Sequence, residues 1–253
     1  LENFFKNKNF SLIINLAAQA GVRYSFKNPR EFVENNILGF YNLISIADKK
    51  KIKKIIYASS SSVYGDSKKF PLKEKNYIYP KNIYSLSKKN NEEMAEVFSR
   101  QFKIKFIGLR FFTVYGEWGR PDMFMMKYLI SSYNPLKKFY LNNYGNHIRD
   151  FTYINDVCEI VNRLVFLKKK TSNHEIYNIC SNKPVKLISV MNRINSLTGK
   201  KPKTFKRGLQ MADVLKTHGS NKKILNLIRK QKFTSINIGL ENTVNWFKNY
   251  YKY

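Results

Sequence analysis

Two periodicities of apolar residues alternate along the first 180 residues of the chain. Short apolar runs with β-branched residues, such as residues 11–18 with Ile13 and Ile14, are typical of buried parallel strands. The segments between them repeat apolar residues at helical spacing, and one carries Pro29 near its first turn. Strands that alternate with amphipathic helices predict an α/β fold built on a doubly wound parallel sheet. The predicted strands are 11–18, 54–59, 104–111 and 175–180, and the predicted helices are 1–8, 29–48, 84–101 and 155–167.

The pattern changes in the second half, where the periodic segments are less regular. A loop with the sequence Gly-Glu-Trp-Gly-Arg-Pro occupies residues 116–121. No apolar run approaches the eighteen residues typical of a membrane-spanning helix, so we expect no membrane partner. Further helices are predicted at 123–132, 187–197, 221–229 and 239–250.

The chain is strongly basic: its 46 Lys and Arg residues against 17 Asp and Glu give a formal net charge of +29. Such a field attracts anionic ligands, including nucleic acids. The lysines are scattered as in a compositionally biased sequence, so we favour an anionic small substrate and keep a basic nucleic-acid-binding protein as the alternative. The two cysteines and three histidines lack the spacing of a disulfide framework or a metal site, which favours a reducing cytoplasm and no metal.

Tyr84 and Lys88 are the first catalytic candidates. Residues four apart on one helical face have Cβ atoms about 5–6 Å apart. At that separation an ammonium stabilises a phenolate, which can then act as a base. A surface Tyr and Lys on a solvated helix would show the same spacing. The context favours catalysis, since the four serines at 59–62 end the preceding strand, where ligands bind in open α/β sheets.

Seven segments together resemble a known family. In order they include Ala-Gln-Ala-Gly-Val-Arg, Ser-Ser-Ser-Ser-Val-Tyr-Gly and Phe-Phe-Thr-Val-Tyr-Gly. The chain resembles the extended short-chain dehydrogenase/reductase family of NAD-dependent nucleotide-sugar epimerases and dehydratases, and it looks most like the UDP-glucuronate 4-epimerases. The resemblance implies a Rossmann-like NAD-binding domain at 1–113 and 151–182, and a smaller C-terminal nucleotide-sugar-binding domain at 114–150 and 183–253. The seven segments are 16–23, 59–65, 84–88, 109–116, 119–122, 149–153 and 213–214.

The resemblance also implies roles for single residues, with NAD as cofactor and a UDP-sugar as substrate. Tyr84 would remove the sugar O4 proton, Lys88 would hold the NAD ribose and favour the phenolate, and Ser60 would bridge Tyr84 and the sugar hydroxyl. Arg149 would pair with the diphosphate unless it pairs with Asp150. Asp213 would accept hydrogen bonds from the uridine ribose unless it is an ordinary loop carboxylate, and Phe111 would face the nicotinamide unless it is plain core. The other implied cofactor residues are Leu16, Ala17, Ala18, Gln19 and Ser59, and the other implied substrate residues are Arg23, Ser61, Ser62, Thr113 and Arg120.

A chemical argument favours a uronate substrate. Oxidation at C4 of glucuronate gives a β-keto acid, which loses carbon dioxide easily when its carboxylate turns perpendicular to the carbonyl. Thr113 and Arg120 stand seven residues apart in one loop, and their hydroxyl and guanidinium would hold the carboxylate in an unreactive orientation. Ser61 or Ser62 would complete this clamp. Arg120 could instead be a solvent-exposed arginine before Pro121.

The chain also departs from the family pattern. The fingerprint G-x-x-G-x-x-G is absent, and the first residue is Leu1. We therefore expect a fragment that lacks about 60–80 residues, with an incomplete sheet missing its first strands, weak NAD binding and no activity by itself. The full-length protein is expected to be a homodimer. Gln210 stands where some relatives carry a diphosphate-binding arginine, and UDP-glucose 4-epimerase and UDP-glucuronate decarboxylase remain alternative activities.

Overall fold

The structure is a computed structural model that describes residues 1–169, 171–211, 213–229 and 232–253. Helices and strands alternate through most of its first half. The strands are β1 (Leu12–Asn15), β2 (Lys54–Ser60), β3 (Lys105–Phe111), β4 (Thr113–Tyr115), β5 (Phe139–Asn142), β6 (Ile148–Tyr153), β7 (His174–Ile179), β8 (Pro184–Lys186) and β9 (Thr204–Arg207). The helices are α1 (Glu2–Phe5), α2 (Pro29–Phe32), α3 (Gly39–Lys49), α4 (Ile83–Gln101), α5 (Phe124–Tyr133), α6 (Ile154–Val165), α7 (Leu187–Thr198), α8 (Lys222–Ile228) and α9 (Ile236–Tyr251). A π-helical segment, Val33–Leu38, joins α2 to α3.

The main sheet has the strand order β1-β2-β3-β7, and every pairing in it is parallel. Ser60 at the end of β2 pairs with Phe111 at the end of β3, which in turn pairs with Ile179 of β7. The carboxyl ends of these strands therefore meet at one edge of the sheet. The predicted α/β fold with a parallel sheet is confirmed.

Strand β1 is shorter than predicted, because it ends at Asn15 and not at residue 18. Beyond that point the backbone is held by a side chain. Asn36 in the π-helical segment accepts from the Gln19 amide (2.7 Å) and donates to the Gln19 carbonyl (3.0 Å). It also donates to Ser87 Oγ on α4 (2.9 Å). This buried amide fixes the loop after β1 relative to α4, and π-helical segments often occur at such functional positions.

Two apolar clusters cover the main sheet. Residues of α3 and α4 form one with β2 and β3, and residues of α6 and α8 form the other with β3 and β7. The domain boundary predicted at residue 183 assigned α8 to the second domain, whereas Ile224 and Ile228 are buried in the cluster of the main sheet. We therefore propose that α8 belongs with the first domain.

A third cluster forms the core of the second unit, where α5, α7 and α9 pack together with residues of β4, β5 and β6. Its strands form two small sheets, β4-β6-β8 and β5-β9. None of these strands was predicted: β4, β5, β8 and β9 have only three or four residues, too few to show a periodicity, and the six-residue β6 was missed as well. Among the described residues, no helix is both long enough and apolar enough to cross a membrane.

Candidate active site

The serine run leaves the main sheet at its carboxyl edge. Ser60 caps a 3-10 helix at Ser61–Tyr64, and its Oγ accepts from the Ser62 amide (3.1 Å). The turn ends at Gly65, whose φ is +59°. A Cβ there would lie 2.1 Å from the Tyr79 carbonyl oxygen, so only glycine can close this turn. The hydroxyls of the run are thus held by local backbone geometry.

Helix α4 brings Tyr84 and Lys88 to the same place. Asn82 caps the helix by accepting from the Ser85 amide (2.9 Å), and Ser85 Oγ accepts from the Asn82 amide in return (3.2 Å). The Lys88 ammonium donates to the Ala58 carbonyl on β2 (2.9 Å), and Tyr84 makes a side-chain hydrogen bond with Ser60. The structure therefore brings Ser60, Tyr84 and Lys88 together, as the catalytic prediction requires.

Burial dominates the electrostatics of this pair. It lowers the pKa of Lys88 to about 8. Burial also raises the pKa of Tyr84, while the hydrogen bond from Ser60 and the charge of Arg120 act in the opposite direction. A phenol in this state needs a further source of positive charge before it can lose its proton near neutral pH.

Lys88 also provides a test of whether the site suits NAD. Its ammonium is buried and has three donor hydrogens, yet within the described residues it donates one hydrogen bond. Its spare donors lie near the carboxyl edge of a parallel sheet, where dinucleotides bind in folds of this class. The residues present therefore fit a ribose diol of the cofactor.

A cavity of about 840 Å³ opens beside this group, between the main sheet and the second unit. Of the described residues that line it, seven are Lys or Arg and two are Asp, so its field is positive. A pocket of this size and charge suits an anionic ligand of nucleotide-sugar dimensions. All seven predicted substrate residues line it: Arg23, Ser61, Ser62, Thr113, Arg120, Arg149 and Asp213.

Arg149 is available for a phosphate. It donates to the carbonyls of Ile148 (3.0 Å) and Leu215 (3.1 Å), and burial lowers its pKa to about 10. The alternative in which Arg149 pairs with Asp150 is wrong. Asp150 is fully buried and accepts instead from the Ser181 amide and hydroxyl and from the Gly219 amide.

Two other arginines already hold carboxylates. Arg120 donates to both oxygens of Asp122 (3.0 and 2.6 Å), and its side chain is about half exposed. Arg23 donates to both oxygens of Asp213 (2.8 and 3.1 Å) across the cavity. A substrate carboxylate or phosphate would therefore have to displace a protein carboxylate from these arginines.

The predicted cofactor residues differ in exposure and in whether they line the cavity. Leu16 and Ala17 are exposed and Ala18 and Gln19 half-buried in the loop after β1, and of the cofactor set only Gln19 lines the cavity. Phe111 is half-buried and packs against the core of the main sheet, as the alternative of a plain core residue supposes. Ser59 Oγ donates to Glu92 Oε1 (2.5 Å), so a contact of Ser59 with the cofactor would have to come from its main chain.

A buried ion pair beneath the serine run was missed by the sequence reasoning. Glu92 on α4 accepts from Arg110 on β3 through two bonds, Nε to Oε1 (2.8 Å) and Nη2 to Oε2 (2.7 Å). Arg110 also donates to Tyr64 Oη (2.8 Å), which in turn donates to Asn178 on β7 (2.7 Å). The pair links β2, β3, β7 and α4 under the catalytic group. Because its partners lie far apart in the chain, no local spacing indicated it.

Comparison with known proteins identifies the family. Residues 1–180 match the model of the NAD dependent epimerase/dehydratase family. The chain belongs to this family. Its similarity to an uncharacterized Methanocaldococcus jannaschii protein is 42% identity over 96% of this chain and 73% of that protein. The UDP-glucuronate 4-epimerase 2 of Arabidopsis thaliana is 34% identical over 100% of this chain and 62% of that protein.

Solved structures agree with the sequence relatives. The Bacillus cereus UDP-glucuronic acid 4-epimerase, in complex with UDP-glucuronic acid and NAD, matches with a TM-score of 0.89 at 26% identity, over 99% of this chain and 78% of that one. MoeE5, also in complex with UDP-glucuronic acid and NAD, matches with a TM-score of 0.90 at 26% identity, over 96% and 81% of the two chains. The predicted family, the enzyme class and the NAD cofactor are confirmed. The alternative of a non-enzymatic nucleic-acid-binding protein is set aside.

Proposed function

We propose that this protein catalyses the NAD-dependent 4-epimerisation of UDP-glucuronate to UDP-galacturonate through a transient 4-keto intermediate. One observation carries the proposal: a single cavity is lined both by Thr113 and Arg120 and by the basic residues Arg23 and Arg149, next to the Ser60, Tyr84 and Lys88 group. The first two suit a sugar carboxylate, and the second two suit a diphosphate. UDP-sugars with a carboxylate at C5 carry both of these groups.

The chain's own residues would handle the proton. Tyr84 Oη would accept the proton of the sugar O4 hydroxyl, with Ser60 Oγ orienting both groups. The charge of Lys88, one helical turn away, would stabilise the phenolate. NAD, when bound, supplies the acceptor for the C4 hydride and gives that hydride back. Tyr84 would return its proton to O4 as the hydride returns to C4, so the reaction has no net redox change.

Inversion at C4 requires that the hydride returns to the opposite face of the sugar. The sugar ring must therefore turn over while the nucleotide stays bound. Arg149 and Arg23 would hold the diphosphate during this turn. Arg120 and Thr113 would hold the carboxylate in the ring plane of the keto sugar, which prevents loss of carbon dioxide. For this Arg120 would release Asp122 and take the substrate carboxylate in its place.

The test is an incubation of the full-length protein with NAD and UDP-glucuronate, with UDP-galacturonate, UDP-pentose and carbon dioxide measured separately. A parallel incubation with UDP-glucose measures UDP-galactose. We expect UDP-galacturonate as the main product and little carbon dioxide. A dominant UDP-pentose product would indicate a decarboxylase, and turnover of UDP-glucose alone would indicate a neutral-sugar epimerase. Either result would refute the proposal.

Replacing Tyr84 tests its assignment. Tyr84→Phe removes the proton acceptor alone, so turnover should fall by more than tenfold while binding of UDP-glucuronate stays within a few-fold. Tyr24→Phe is the matched control, because Tyr24 lines the same cavity but donates to Glu31 (2.8 Å) away from the catalytic group. Residual activity of Tyr84→Phe above a tenth of wild type would remove Tyr84 from this role.

We also infer that two copies of the chain pair through α3 and α4. Three large apolar side chains are exposed on the helical segment 33–41, namely Val33, Leu38 and Tyr41, and the adjoining α4 exposes Leu86 and Val97. Tyr41 and Phe98 contact each other across the two elements (ring centroids 6.2 Å apart), so they present one continuous face. Light scattering after size exclusion would give a dimer mass, and Leu38→Glu should give a monomer.

A further inference from the structure

His147 stands out among the cavity residues because its ring is buried with an unsatisfied nitrogen. It is 5% exposed, and Nε2 has no hydrogen-bond partner within the described residues. His147 precedes β6 and lies two positions before Arg149, so both residues can face the same side of that strand, and both line the cavity. The nearest acidic atom to Nε2 is Asp213 Oδ2, at 3.8 Å, just beyond hydrogen-bond distance.

Asp213 currently has a different partner. Arg23 Nη2 donates to both of its carboxylate oxygens (2.8 and 3.1 Å), from a loop 190 residues away in sequence. With the Asn142 amide oxygen turned toward it, Arg23 Nη1 also donates there (2.8 Å). The exposures of the two partners differ, since the Arg23 side chain is 57% exposed and that of Asp213 is 11% exposed. The Arg23 side chain is therefore open to solvent and to a ligand, whereas the Asp213 carboxylate is largely shielded from water.

We propose that Arg23 and His147 exchange on Asp213 when a nucleotide sugar binds: Arg23 turns to the diphosphate, and His147 takes up one proton and donates from Nε2 to Asp213. His147 is thus a positioning residue that holds Asp213 in the occupied site. The step moves one proton from solvent to an imidazole and involves no covalent or redox change. It rests on the proposed function only in that the ligand is a nucleoside diphosphate sugar.

Two electrostatic effects favour the exchange of Arg23 for His147 on Asp213. A buried carboxylate left without a counter-charge is strongly destabilising, so the departure of Arg23 requires a replacement. The diphosphate also changes the charges around His147. In the ligand-free protein, the pKa of His147 lies below its usual 6.5 because the ring is buried and faces the charges of Arg149 and Arg23. The Asp213 carboxylate acts in the opposite direction. Lys216, from the loop that carries Asp213, adds positive charge to the same cavity.

The sign of the pH dependence follows from these charges. Two negative phosphates beside Arg149 and Arg23 offset the charges that keep His147 neutral, so its pKa is higher in the complex than in the free protein. Affinity is then greatest below the free-state pKa and falls as the pH rises through the pKa of the complex. Between the two values we expect the dissociation constant to rise up to tenfold per pH unit.

Isothermal calorimetry with UDP-glucose tests this directly, because its diphosphate diester keeps a constant charge between pH 6 and 8. Titrations of the full-length protein, loaded with NAD, in buffers of different ionisation enthalpy give the number of protons taken up. We expect measurable uptake near pH 7 in wild type and in His218→Gln, a control whose imidazole lies outside the cavity lining and bonds to Asn182 (2.8 Å). His147→Gln and Asp213→Asn should abolish the uptake.

Nuclear magnetic resonance covers the case in which a variant misfolds, since the chain has only three histidines and their imidazole signals can be followed in wild type. A His147 pKa that rises when UDP-glucose is added supports the exchange. Binding without proton uptake, or uptake that persists in His147→Gln, would overturn it. UDP-glucose binds whether or not the sugar at the reaction centre is a uronate, so refutation of the uronate assignment would leave this result standing. Failure of any UDP-sugar to bind would overturn both.

Discussion

Replacing Glu92 with Gln tests the buried ion pair under the catalytic group. Both side chains of the Glu92–Arg110 pair are 4% exposed, and two hydrogen bonds join them. Glu92→Gln keeps the size of the side chain but leaves the guanidinium without a counter-charge in the interior. Breaking one partner of a buried pair costs about 3–5 kcal/mol in the free energy of unfolding. For a chain of this length that corresponds to a melting temperature lower by about 6–20 °C.

The adjacent position on α4 provides the control. Glu93 pairs with Lys89, four residues earlier on the same helix, at 3.5 Å, but its side chain is 62% exposed. Glu93→Gln should change stability by about 0.5 kcal/mol or less, because water screens such a pair. Urea unfolding of both variants measures the contrast. A Glu92→Gln cost below about 1 kcal/mol would show that water or a rearranged partner compensates Arg110, and would refute the reasoning.

A double-mutant cycle separates the pair from its surroundings. Arg110→Met and Glu92→Met should each be destabilising alone, and the double variant should be less destabilised than their sum by about 1–3 kcal/mol. Some cost should remain in the double variant, because Ser59 Oγ loses its acceptor and the Glu74 carbonyl loses the donor Arg110. An additive cycle would mean that the two side chains act independently.

Three further predictions concern the site. Arg120→Ala should raise KM for UDP-glucuronate at least tenfold or release carbon dioxide from the unclamped 4-keto intermediate, and clean epimerisation by this variant would contradict the clamp. Trp118 anchors the loop that carries Arg120, because its ring contacts Trp246 and Tyr250 of α9 at centroid distances of 5.3 and 4.9 Å. Trp118→Ala should therefore raise the KM for UDP-glucuronate about tenfold, whereas Trp118→Phe should keep the wild-type KM. Equal KM values in the two variants would exclude this anchoring role. Burial lowers the pKa of Lys88 to about 8, so from pH 8 to about 10.5 the unfolded chain binds more protons than the folded one. The free energy of unfolding of the ligand-free protein should therefore rise over that range relative to Lys88→Met. If urea unfolding gives the same difference between the two proteins at every pH, this prediction is refuted.

The main sheet could be predicted from the sequence because strands β2 and β3 are buried on both faces and the helices between the strands are amphipathic. Strands β2, β3 and β7 begin and end within one residue of the predicted limits. The prediction failed where a pairing depends on distant residues. Strand β1 was predicted to end three residues too late, since the Gln19 backbone is held by the Asn36 side chain and not by a neighbouring strand. The short strands of the second unit exist through partners such as β9 for β5, which no local pattern contains.

The candidate site could also be predicted only in part from the sequence. The residues that line the cavity were predicted through the family resemblance of the segments that carry them, and only the serine run was also indicated by its place at the carboxyl end of a parallel strand. Charge partners were not found, because they depend on how side chains meet across elements. Arg23 and Asp213 were each expected to meet the substrate, whereas in the structure they hold each other. His147 was missed, although its position two residues before Arg149 on the same strand edge was a usable signal.

The serine run shows why residue type alone cannot assign these roles. Its four identical side chains occupy three different environments. Ser59 and Ser60 end strand β2 and so point to opposite faces, Ser59 toward Glu92 on α4 and Ser60 toward Tyr84. The next two belong to the 3-10 turn and line the substrate cavity. The four serines differ in environment because strand β2 ends at Ser60, and the pairing of Ser60 with Phe111 on β3 fixes that end. A shift of that register by one residue would direct Ser60 into the buried pair and Ser59 toward Tyr84, so the pairing of β2 with β3 determines which hydroxyl lies beside Tyr84 and could take the role proposed for Ser60.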